Sequence, residues 1–348
     1  MKYYPGVTFE RKELLDKIGS ISQIGGLRRV RLQDGVEKGV EVVEFETGSG
    51  LKFDVLLDRG MDISRAVFRG ANLAWRSPVG DAHPSRYEEP GLGWLRTFPG
   101  GMVTTCGLTY MGAPGRDGDQ ELGLHGRYSS LPASKICQWE GWEGEDYILR
   151  LSGEMREAML FGDNQVLRRV IESKLGSSTF TLTDTVTNEG CRPAPHMLLY
   201  HCNFGYPLLD EKTVLETPHS RIEPRDAEAT EGLEEACRFG KPVPGYREKV
   251  YFHNLEHDKN GYVSIFLRNP VLLGGLSLEL RYRPDQLPHF TQWKMIGQQE
   301  YVLGLEPGNA RVLGRARERE AGRLITLEPG ETRTYRLEFT LRVLAEAE

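Results

Sequence analysis

Short segments in which apolar and polar residues alternate recur along most of this 348-residue chain from Leu27 onward. A period of two places successive side chains on opposite faces of a sheet, so each segment predicts a strand with one buried face. The clearest segments are 43–57, where Gly48-Ser49-Gly50 makes the turn of a hairpin, 179–187 (TFTLTDTVT) and 335–341. A clear helical period occurs only over residues 10–18.

Further strands are predicted over segments that turn residues separate: 147–151, 166–175, 197–203, 249–255, 262–267, 276–282, 290–295 and 300–305. Many short strands without intervening helical periods favour an antiparallel sheet over alternating β-α-β units. The sequence therefore predicts an all-β fold, a large antiparallel sandwich with few short helices.

Segment 210–247 departs from this pattern, because it combines four prolines with an acidic stretch at 228–235. We expect a surface excursion, which is either functional or mobile, or is a plain structural insert carrying a short helix at 232–236. No solenoid repeat and no Pro/Gly/Ser linker divides the chain. Residues 1–348 are therefore predicted to form a single domain.

Composition excludes several classes of function. The net charge of −6 comes from 44 basic and 50 acidic residues without a dense basic tract, which argues against nucleic-acid binding. No apolar run approaches the roughly 18 residues of a membrane span, and the N-terminus lacks a signal-peptide pattern, so we expect a cytoplasmic protein with no membrane partner. Five widely spaced cysteines without a C-x-x-C pair indicate reduced thiols. Nucleotide-binding and serine-hydrolase motifs are absent.

Three phrases carry the candidate chemistry: Leu124-His125-Gly126-Arg127, Tyr200-His201-Cys202-Asn203-Phe204-Gly205 and Gly304-Leu305-Glu306-Pro307-Gly308-Asn309. They supply two imidazoles and one carboxylate. These groups suffice to take a proton from one oxygen and give it to another, as the opening and closing of a sugar ring requires.

Read singly, each phrase also has an ordinary structural interpretation. Glu306 follows a strand-like run, and Pro307 and Gly308 are predicted to stop the strand there, so Glu306 is either an exposed strand-end residue or a carboxylate facing a cleft. Burial in such a cleft would raise its pKa. His201 lies in an apolar strand and is either a core histidine or a ligand-facing one, with Asn203 on the same face.

The remaining candidates are weaker. His125 with Arg127 suits a polyhydroxylated or anionic ligand, or is a glycine-rich turn with an ion pair. Arg59 lies in a charged turn that either lines the cleft or is solvated. Trp293, with Lys294 beside it, either stacks on a sugar or packs in the core.

The third phrase ends at Asn309, a further candidate to bind substrate. His196 and His201 are five residues apart on one predicted strand, so they point to opposite faces and are poor ligands for one metal. No metal site is predicted.

In this order and on this strand-rich background, the three phrases resemble the galactose mutarotase-like superfamily, the aldose 1-epimerases and their relatives. The stretch HMLLYHCNFGYPLLDE at 196–211 is similar to a branch of that superfamily without a settled activity. The resemblance implies a β-supersandwich with a cleft across one sheet and a cofactor-free exchange of sugar anomers. It also implies roles: Glu306 as base, His201 as acid, and His125 holding a hydroxyl or the ring oxygen of the substrate.

The chain departs from authentic aldose 1-epimerases in two places. Cys202-Asn203-Phe204 follows the second histidine in place of a Pro or aromatic segment, and the stretch 100–108 lacks their Asn-Arg motif. We therefore expect altered substrate contacts. Two alternatives stay open: a non-catalytic carbohydrate-binding or sensing protein, and an isomerase that acts on a keto-sugar. The expected partner is a small sugar, and an exposed strand edge would permit a homodimer.

Overall fold

The computed structural model describes residues 2–4, 7–8 and 10–344, and most of its elements are strands, as predicted. In chain order the strands are β1 (Lys2–Tyr4), β2 (Val7–Thr8), β3 (Gly26–Arg31), β4 (Glu41–Glu46), β5 (Leu51–Leu56), β6 (Asp62–Phe68), β7 (Ala71–Asn72), β8 (Thr104–Leu108), β9 (Gly115–Asp117), β10 (Gln120–Leu122), β11 (Ser134–Glu143), β12 (Asp146–Ala158), β13 (Asn164–Lys174), β14 (Thr179–Asn188), β15 (Ala194–Gly205), β16 (Val214–Glu216), β17 (His219–Pro224), β18 (Lys249–Leu255), β19 (Val263–Asn269), β20 (Leu276–Tyr282), β21 (His289–Gly297), β22 (Glu300–Gly308), β23 (Ile325–Leu327) and β24 (Thr332–Val343). The α-helices are α1 (Arg11–Leu15), α2 (Ala227–Glu231) and α3 (Arg315–Glu320). The helix predicted over 10–18 is thus present but shorter.

The strands form three larger antiparallel sheets and two small hairpins, β1-β2 and β9-β10. A five-stranded sheet has the order β3-β4-β5-β6-β7, and an eight-stranded sheet has the order β11-β12-β13-β14-β24-β20-β19-β16. A seven-stranded sheet runs β17-β18-β21-β22-β15-β23, and β8 pairs with β15 beside that path. This architecture confirms the predicted all-β sandwich.

One hydrophobic cluster contains side chains from all three sheets. The ring of Phe53 in the five-stranded sheet lies 4.5 Å from that of Phe180, which stacks on Phe339 at 4.8 Å in the eight-stranded sheet. Burial of such aromatic side chains is among the largest apolar contributions to folding. The single-domain organisation predicted from the sequence stays a proposal, and this shared core supports it.

A buried ion-pair network joins the sheets beneath β15. The Arg169 guanidinium on β13 contacts Asp184 at 2.7 Å and Asp62 at 3.0 Å, and none of its surface is exposed. The Tyr200 hydroxyl donates a 2.8 Å hydrogen bond to Asp184. Because side chains alternate along β15, anchoring Tyr200 on the core side directs the next residue, His201, to the opposite side.

The strand that carries Glu306 does not end at Pro307, contrary to the expectation from sequence. β22 continues to Gly308, and Pro307 lies opposite Phe290 of β21. Proline has no N–H to donate, and the pairing with β15 skips Glu306 and Pro307 and resumes where Leu199 faces Gly308. Glu306 therefore lies within a strand. The register that pairs Cys202 with Leu305 and Leu199 with Gly308 places Glu306 opposite His201.

Segment 210–247 contributes strands to two of the sheets as well as surface loops. β16 and β17 from this segment form one edge each of the eight-stranded and the seven-stranded sheets. α2 follows, and then a 3-10 turn at Leu233–Glu235, where the sequence predicts a short helix. Ala229 and Ala236 are buried against Tyr251, so the segment packs onto the sheet beside the site.

All five cysteines are free thiols. Cys106 and Cys202 are buried, and that burial raises the pKa of both thiols well above the usual value. Within the described ranges, none of the helices is long and apolar enough to span a membrane.

Candidate active site

A cavity of about 710 Å³ opens beside the seven-stranded sheet. Its wall includes Glu306 from β22, His201 from β15, Thr291 and Trp293 from β21, and His125 from the loop after β10. Four of the nine residues singled out from the sequence thus share one cavity: Glu306, His201, His125 and Trp293.

The carboxylate of Glu306 and the imidazole of His201 are close neighbours. Glu306 Oε1 lies 3.2 Å from His201 Nε2, and the two side chains are 3% and 7% exposed. The contact lacks the alignment of a hydrogen bond, so Oε1 has no hydrogen-bond partner among the described residues. Both groups therefore retain the capacity to bond a ligand in the cavity.

Burial changes the protonation of this pair. Desolvation raises the pKa of Glu306 well above its usual value, and the negative charge of Glu248 adds to the rise. Desolvation lowers the pKa of His201 to about 3, with a further contribution from His125. Burial thus favours the uncharged form of both groups, a carboxylic acid beside a neutral imidazole. The pair then holds one proton that either group can carry.

His125 reaches the cavity from a strained piece of backbone. Its φ of 58° lies in the left-handed region, which is uncommon for residues other than glycine, and Gly126 follows at 72°. A side chain at Gly126 would meet the carbonyl oxygen of Tyr110 at 2.3 Å. The glycine therefore serves a close approach between two backbone segments, and the turn aims the imidazole at the cavity. Burial lowers the pKa of His125 to about 4.

Gly304 in the third phrase is required by space. A Cβ atom there would lie 2.6 Å from Glu306 Oε1, 3.0 Å from the Cβ of Trp293 and 3.2 Å from His201 Cε1. Real Cβ atoms essentially never approach other atoms within 3.0 Å. The glycine two residues before Glu306 therefore leaves room for the carboxylate to stand beside the imidazole.

Four buried polar atoms of the cavity wall have no hydrogen-bond partner within residues 10–344: His125 Nδ1, His201 Nδ1, Thr291 Oγ1 and Glu306 Oε1. Buried polar groups in folded proteins are almost always paired, and each one left unpaired costs about 1–3 kcal/mol. Their convergence on one cavity indicates a ligand with several hydroxyl or other polar groups.

Aromatic rings form the apolar part of the wall, and they come from Trp75, Trp94, Phe98 and Trp293. Trp293 is held in place by a 2.8 Å hydrogen bond from its indole Nε1 to Glu248, and by edge contact with Trp75. The ring of His201 packs against Trp293 and Phe98 at 5.4 Å and 5.3 Å. Hydroxyl-binding atoms beside aromatic faces suit a sugar ring, which has polar edges and apolar faces.

Two of the predicted arginines lie outside the cavity wall. Arg59 is 1% exposed, and its guanidinium donates to the carbonyl oxygens of Ala82 at 2.7 Å and Thr97 at 2.8 Å. It therefore anchors the segment that carries Trp94. Arg127 is exposed and precedes the 3-10 turn Tyr128–Ser130.

Three further candidates also point away from the ligand space. Asn203 donates to the carbonyl oxygens of Gly101 and His201. Lys294 alternates with Trp293 along β21, so it faces the 3-10 turn and donates to two backbone carbonyls there at 2.6 Å. Burial lowers the pKa of Lys294 to about 8. Asn309 accepts from the Leu198 amide at 2.7 Å and so joins the end of β22 to β15.

Sequence reasoning missed several residues of the cavity. Thr291 lies two positions before Trp293 on the same strand, so alternation from Trp293 was a signal that could have found it. Trp94 lies in a short 3-10 turn, Gly93–Arg96, and Phe98 in the irregular segment after it. Glu248 contacts Trp293 across 45 positions of chain. Nothing local in the sequence marks these three.

Histidines 196 and 201 face opposite sides of β15. His196 contacts the Tyr335 hydroxyl at 2.8 Å in the core, and burial lowers its pKa to about 3. In the part of the chain that the structure describes, no cluster of three or more His, Cys, Asp or Glu side chains is arranged to hold a metal ion.

The chain is similar to several solved structures. A "putative aldose 1-epimerase" from Klebsiella pneumoniae subsp. pneumoniae superimposes with a TM-score of 0.86 and 27% identity, over 92% of this chain and 84% of that one. A galactose mutarotase-like protein from Clostridium acetobutylicum gives 0.66 and 11% identity, over 92% of this chain and 100% of that one. Galactose 1-epimerase from Lactobacillus acidophilus gives 0.56 and 13% identity, over 92% and 99%. No curated protein sequence matches the chain.

The fold and the three phrases together define a protein of the galactose mutarotase-like superfamily, on a divergent branch. Within that superfamily the chain belongs to the family described as "Domain of unknown function (DUF4432)", whose profile matches residues 37–341. The resemblance predicted from the sequence is thereby confirmed.

Proposed function

We propose that this protein is a carbohydrate-active isomerase of the aldose 1-epimerase type, which interconverts the anomers of a free sugar. The observation that carries the proposal is the pair of Glu306 Oε1 and His201 Nε2, 3.2 Å apart in a cavity lined by aromatic rings and unpartnered polar atoms. Anomer exchange needs one group that accepts a proton and one that donates a proton at two oxygens bonded to the same carbon. Two adjacent, buried titratable groups suit that geometry.

In the proposed reaction the Glu306 carboxylate takes the proton of the anomeric hydroxyl. The bond between the anomeric carbon and the ring oxygen breaks, and the ring oxygen takes a proton from the His201 imidazolium. The open-chain aldehyde rotates about its bond to the next carbon and closes on the other face, with both proton transfers reversed. No cofactor takes part in these steps. General acid and base groups each contribute about 10² to 10⁴ in rate.

Burial supports this cycle through the charges of the pair. Ring opening converts a carboxylate and an imidazolium into an uncharged acid and an uncharged imidazole, the state that desolvation favours at both residues. The charged state is regained when the ring closes. One proton moving between Oε1 and Nε2 also connects the two states when no substrate is bound.

The other walls supply substrate binding. His125 Nδ1 and Thr291 Oγ1, which have no hydrogen-bond partner in the described part of the chain, hold sugar hydroxyls in this proposal. Trp293, fixed by Glu248, offers an aromatic face to the apolar side of the ring. Arg127 and Asn203, which the sequence suggested as substrate ligands, have no part in it, because neither lies in the cavity wall.

The test is Glu306→Gln, assayed by exchange NMR on a panel of free aldoses and keto-sugars. Glutamine keeps the shape but cannot accept the proton, so catalysed exchange is expected to fall at least about 100-fold. Glu256→Gln makes the same change of residue at an exposed position outside the cavity wall and serves as the matched control.

Two results would contradict the proposal. One is wild-type protein that accelerates exchange of no sugar in the panel, even if calorimetry detects binding, which would favour the binding or sensing alternative. The other is a Glu306→Gln variant as active as Glu256→Gln. Product analysis separates the keto-sugar alternative, since anomer exchange changes the configuration at the anomeric carbon alone.

A further inference from the structure

A second cavity of about 560 Å³ adjoins the first. The two cavities share four wall residues: Ala113, Pro114, Arg225 and Val312. A ligand whose reacting carbon lies at Glu306 can therefore extend a substituent past Arg225 into the second cavity.

The wall of the second cavity is strongly basic. It contains four arginines against one aspartate, in a protein whose net charge is −6. The arginines are Arg116, Arg225, Arg315 and Arg317, and the acidic residue is Asp226. A concentration of positive charge on a negatively charged protein creates a local potential that attracts anions.

The four arginines differ in whether their side chains already have partners among the described residues. Arg225 is engaged by Asp226 at 2.8 Å and by Glu248 at 3.0 Å. Arg315 is buried and contacts Asp117 at 2.5 Å. The side chains of Arg116 and Arg317 form no ion pair and no hydrogen bond within residues 10–344, and both guanidinium groups remain available to a ligand.

The backbone that carries these two side chains is well anchored. Arg116 lies on β9 and Arg317 on α3, and Asp117 joins the two elements by its contacts with Arg315 and with Arg319 at 2.7 Å. Arg315 also donates to the carbonyl oxygen of Thr109 at 3.1 Å. Both free arginines therefore project from fixed positions around one cavity.

We infer that the second cavity binds the anionic group of a charged sugar, a phosphate or carboxylate carried on the substituent remote from the anomeric carbon. Guanidinium groups bind such anions through paired N–H donors, and their charge cannot be removed at physiological pH. Arg116 and Arg317 are the proposed specificity residues. This inference rests on the proposed function for the placement of the ring, and it names the class of substrate.

The experiment is titration calorimetry on Glu306→Gln, in which binding is measured without turnover. The probes are hexoses and pentoses, each as the neutral sugar, as its terminal phosphate and as its uronate, so the arms separate the sources of negative charge. For at least one sugar an anionic form is expected to bind about ten-fold tighter than the neutral parent at low salt. The preference should weaken as ionic strength rises.

Arg116→Gln/Arg317→Gln, added to Glu306→Gln, is expected to reduce that preference to about two-fold or less. The matched control is Arg28→Gln/Arg336→Gln, which removes the same charge from side chains 80% and 51% exposed, outside both cavities. Thermal unfolding verifies that each variant folds, which we expect because all four side chains are at the surface.

Three results would overturn the inference: no anionic form preferred by the parent protein, a preference retained without Arg116 and Arg317, or an equal loss in the control. Failure of the proposed function looks different. If anionic sugars bind with the expected preference but wild-type protein exchanges no anomers, the second cavity keeps its role and the isomerase proposal fails. If the protein exchanges the anomers of neutral sugars but binds no anionic form more tightly, the isomerase proposal stands and the inference about the second cavity fails.

Discussion

Gly304→Ala places one methyl group at the most crowded point of the proposed site. The new Cβ would lie 2.6 Å from Glu306 Oε1, so the carboxylate must retreat by about 0.8 Å to reach an ordinary contact of 3.4 Å. A displacement of about 1 Å in a catalytic group costs roughly 10² in rate. We therefore expect catalysed anomer exchange to fall about 100-fold.

The same change should affect stability far less. Alanine is favoured over glycine within a strand by roughly 0.5–1 kcal/mol, and this offsets part of the crowding against Trp293, whose Cβ would be 3.0 Å away. We expect the free energy of unfolding in urea to stay within about 1 kcal/mol of the wild type. A large fall in the exchange rate with little change in the free energy of unfolding would indicate that the carboxylate has been displaced.

Exchange NMR and urea unfolding on the same preparations measure both quantities. Gly240→Ala is the control, because a Cβ at Gly240 meets no heavy atom within 4 Å. If Gly304→Ala exchanges anomers at the wild-type rate, the argument that this glycine makes room for Glu306 beside His201 is refuted.

Three further predictions address pH, the buried network and the cavity wall. Burial raises the pKa of Glu306 well above its usual 4.5 and lowers that of His201 to about 3, so neither group is expected to titrate near pH 4.5. The exchange rate should therefore show no step there, and a pH–rate profile that falls on acidification through pH 4.5 would argue against it. Asp184→Asn leaves the fully buried Arg169 short of one carboxylate and should lower the free energy of unfolding in urea by about 3 kcal/mol, whereas a loss below about 1 would mean that the network contributes little. Arg59→Gln removes the hydrogen bonds to the carbonyl groups of Ala82 and Thr97, which hold the segment that carries Trp94 in the cavity wall. We therefore expect KM to rise several-fold with kcat nearly unchanged. A fall in kcat alone would contradict this positioning role.

Most of the strands could be predicted from sequence, because half-buried strands record their environment directly in alternation. In β14, Phe180, Leu182 and Val186 are buried while the threonines between them are partly exposed. The continuation of β22 through Pro307 could not be predicted in this way. A single missing N–H is tolerated where neighbouring pairs on both sides hold the strand, and that depends on partners distant in sequence.

The composition of the site was less predictable than the fold. His201 and Glu306 are more than a hundred positions apart, so their spacing in the sequence does not show that they are neighbours. Only the resemblance to the galactose mutarotase-like superfamily predicted that they act as a pair. Lys294 directly follows Trp293, and adjacent residues in a strand face opposite ways. Asn309 lies just past the end of β22, where its side chain binds the backbone of β15. The type of a residue predicts what its side chain could bind, whereas the direction in which the side chain points depends on how the strands pair in the folded protein.

The two proposed proton carriers stand on directly hydrogen-bonded strands, β15 and β22, while much of the ligand-facing wall comes from loops and from the segment before β18. The separation of the carriers follows from the fixed spacing of about 4.8 Å between neighbouring strands. Insertions or substitutions in the loops can therefore change which molecule is admitted without altering the distance between the reactive atoms. Divergence within such a family is expected to be rapid in substrate range and slow in chemistry.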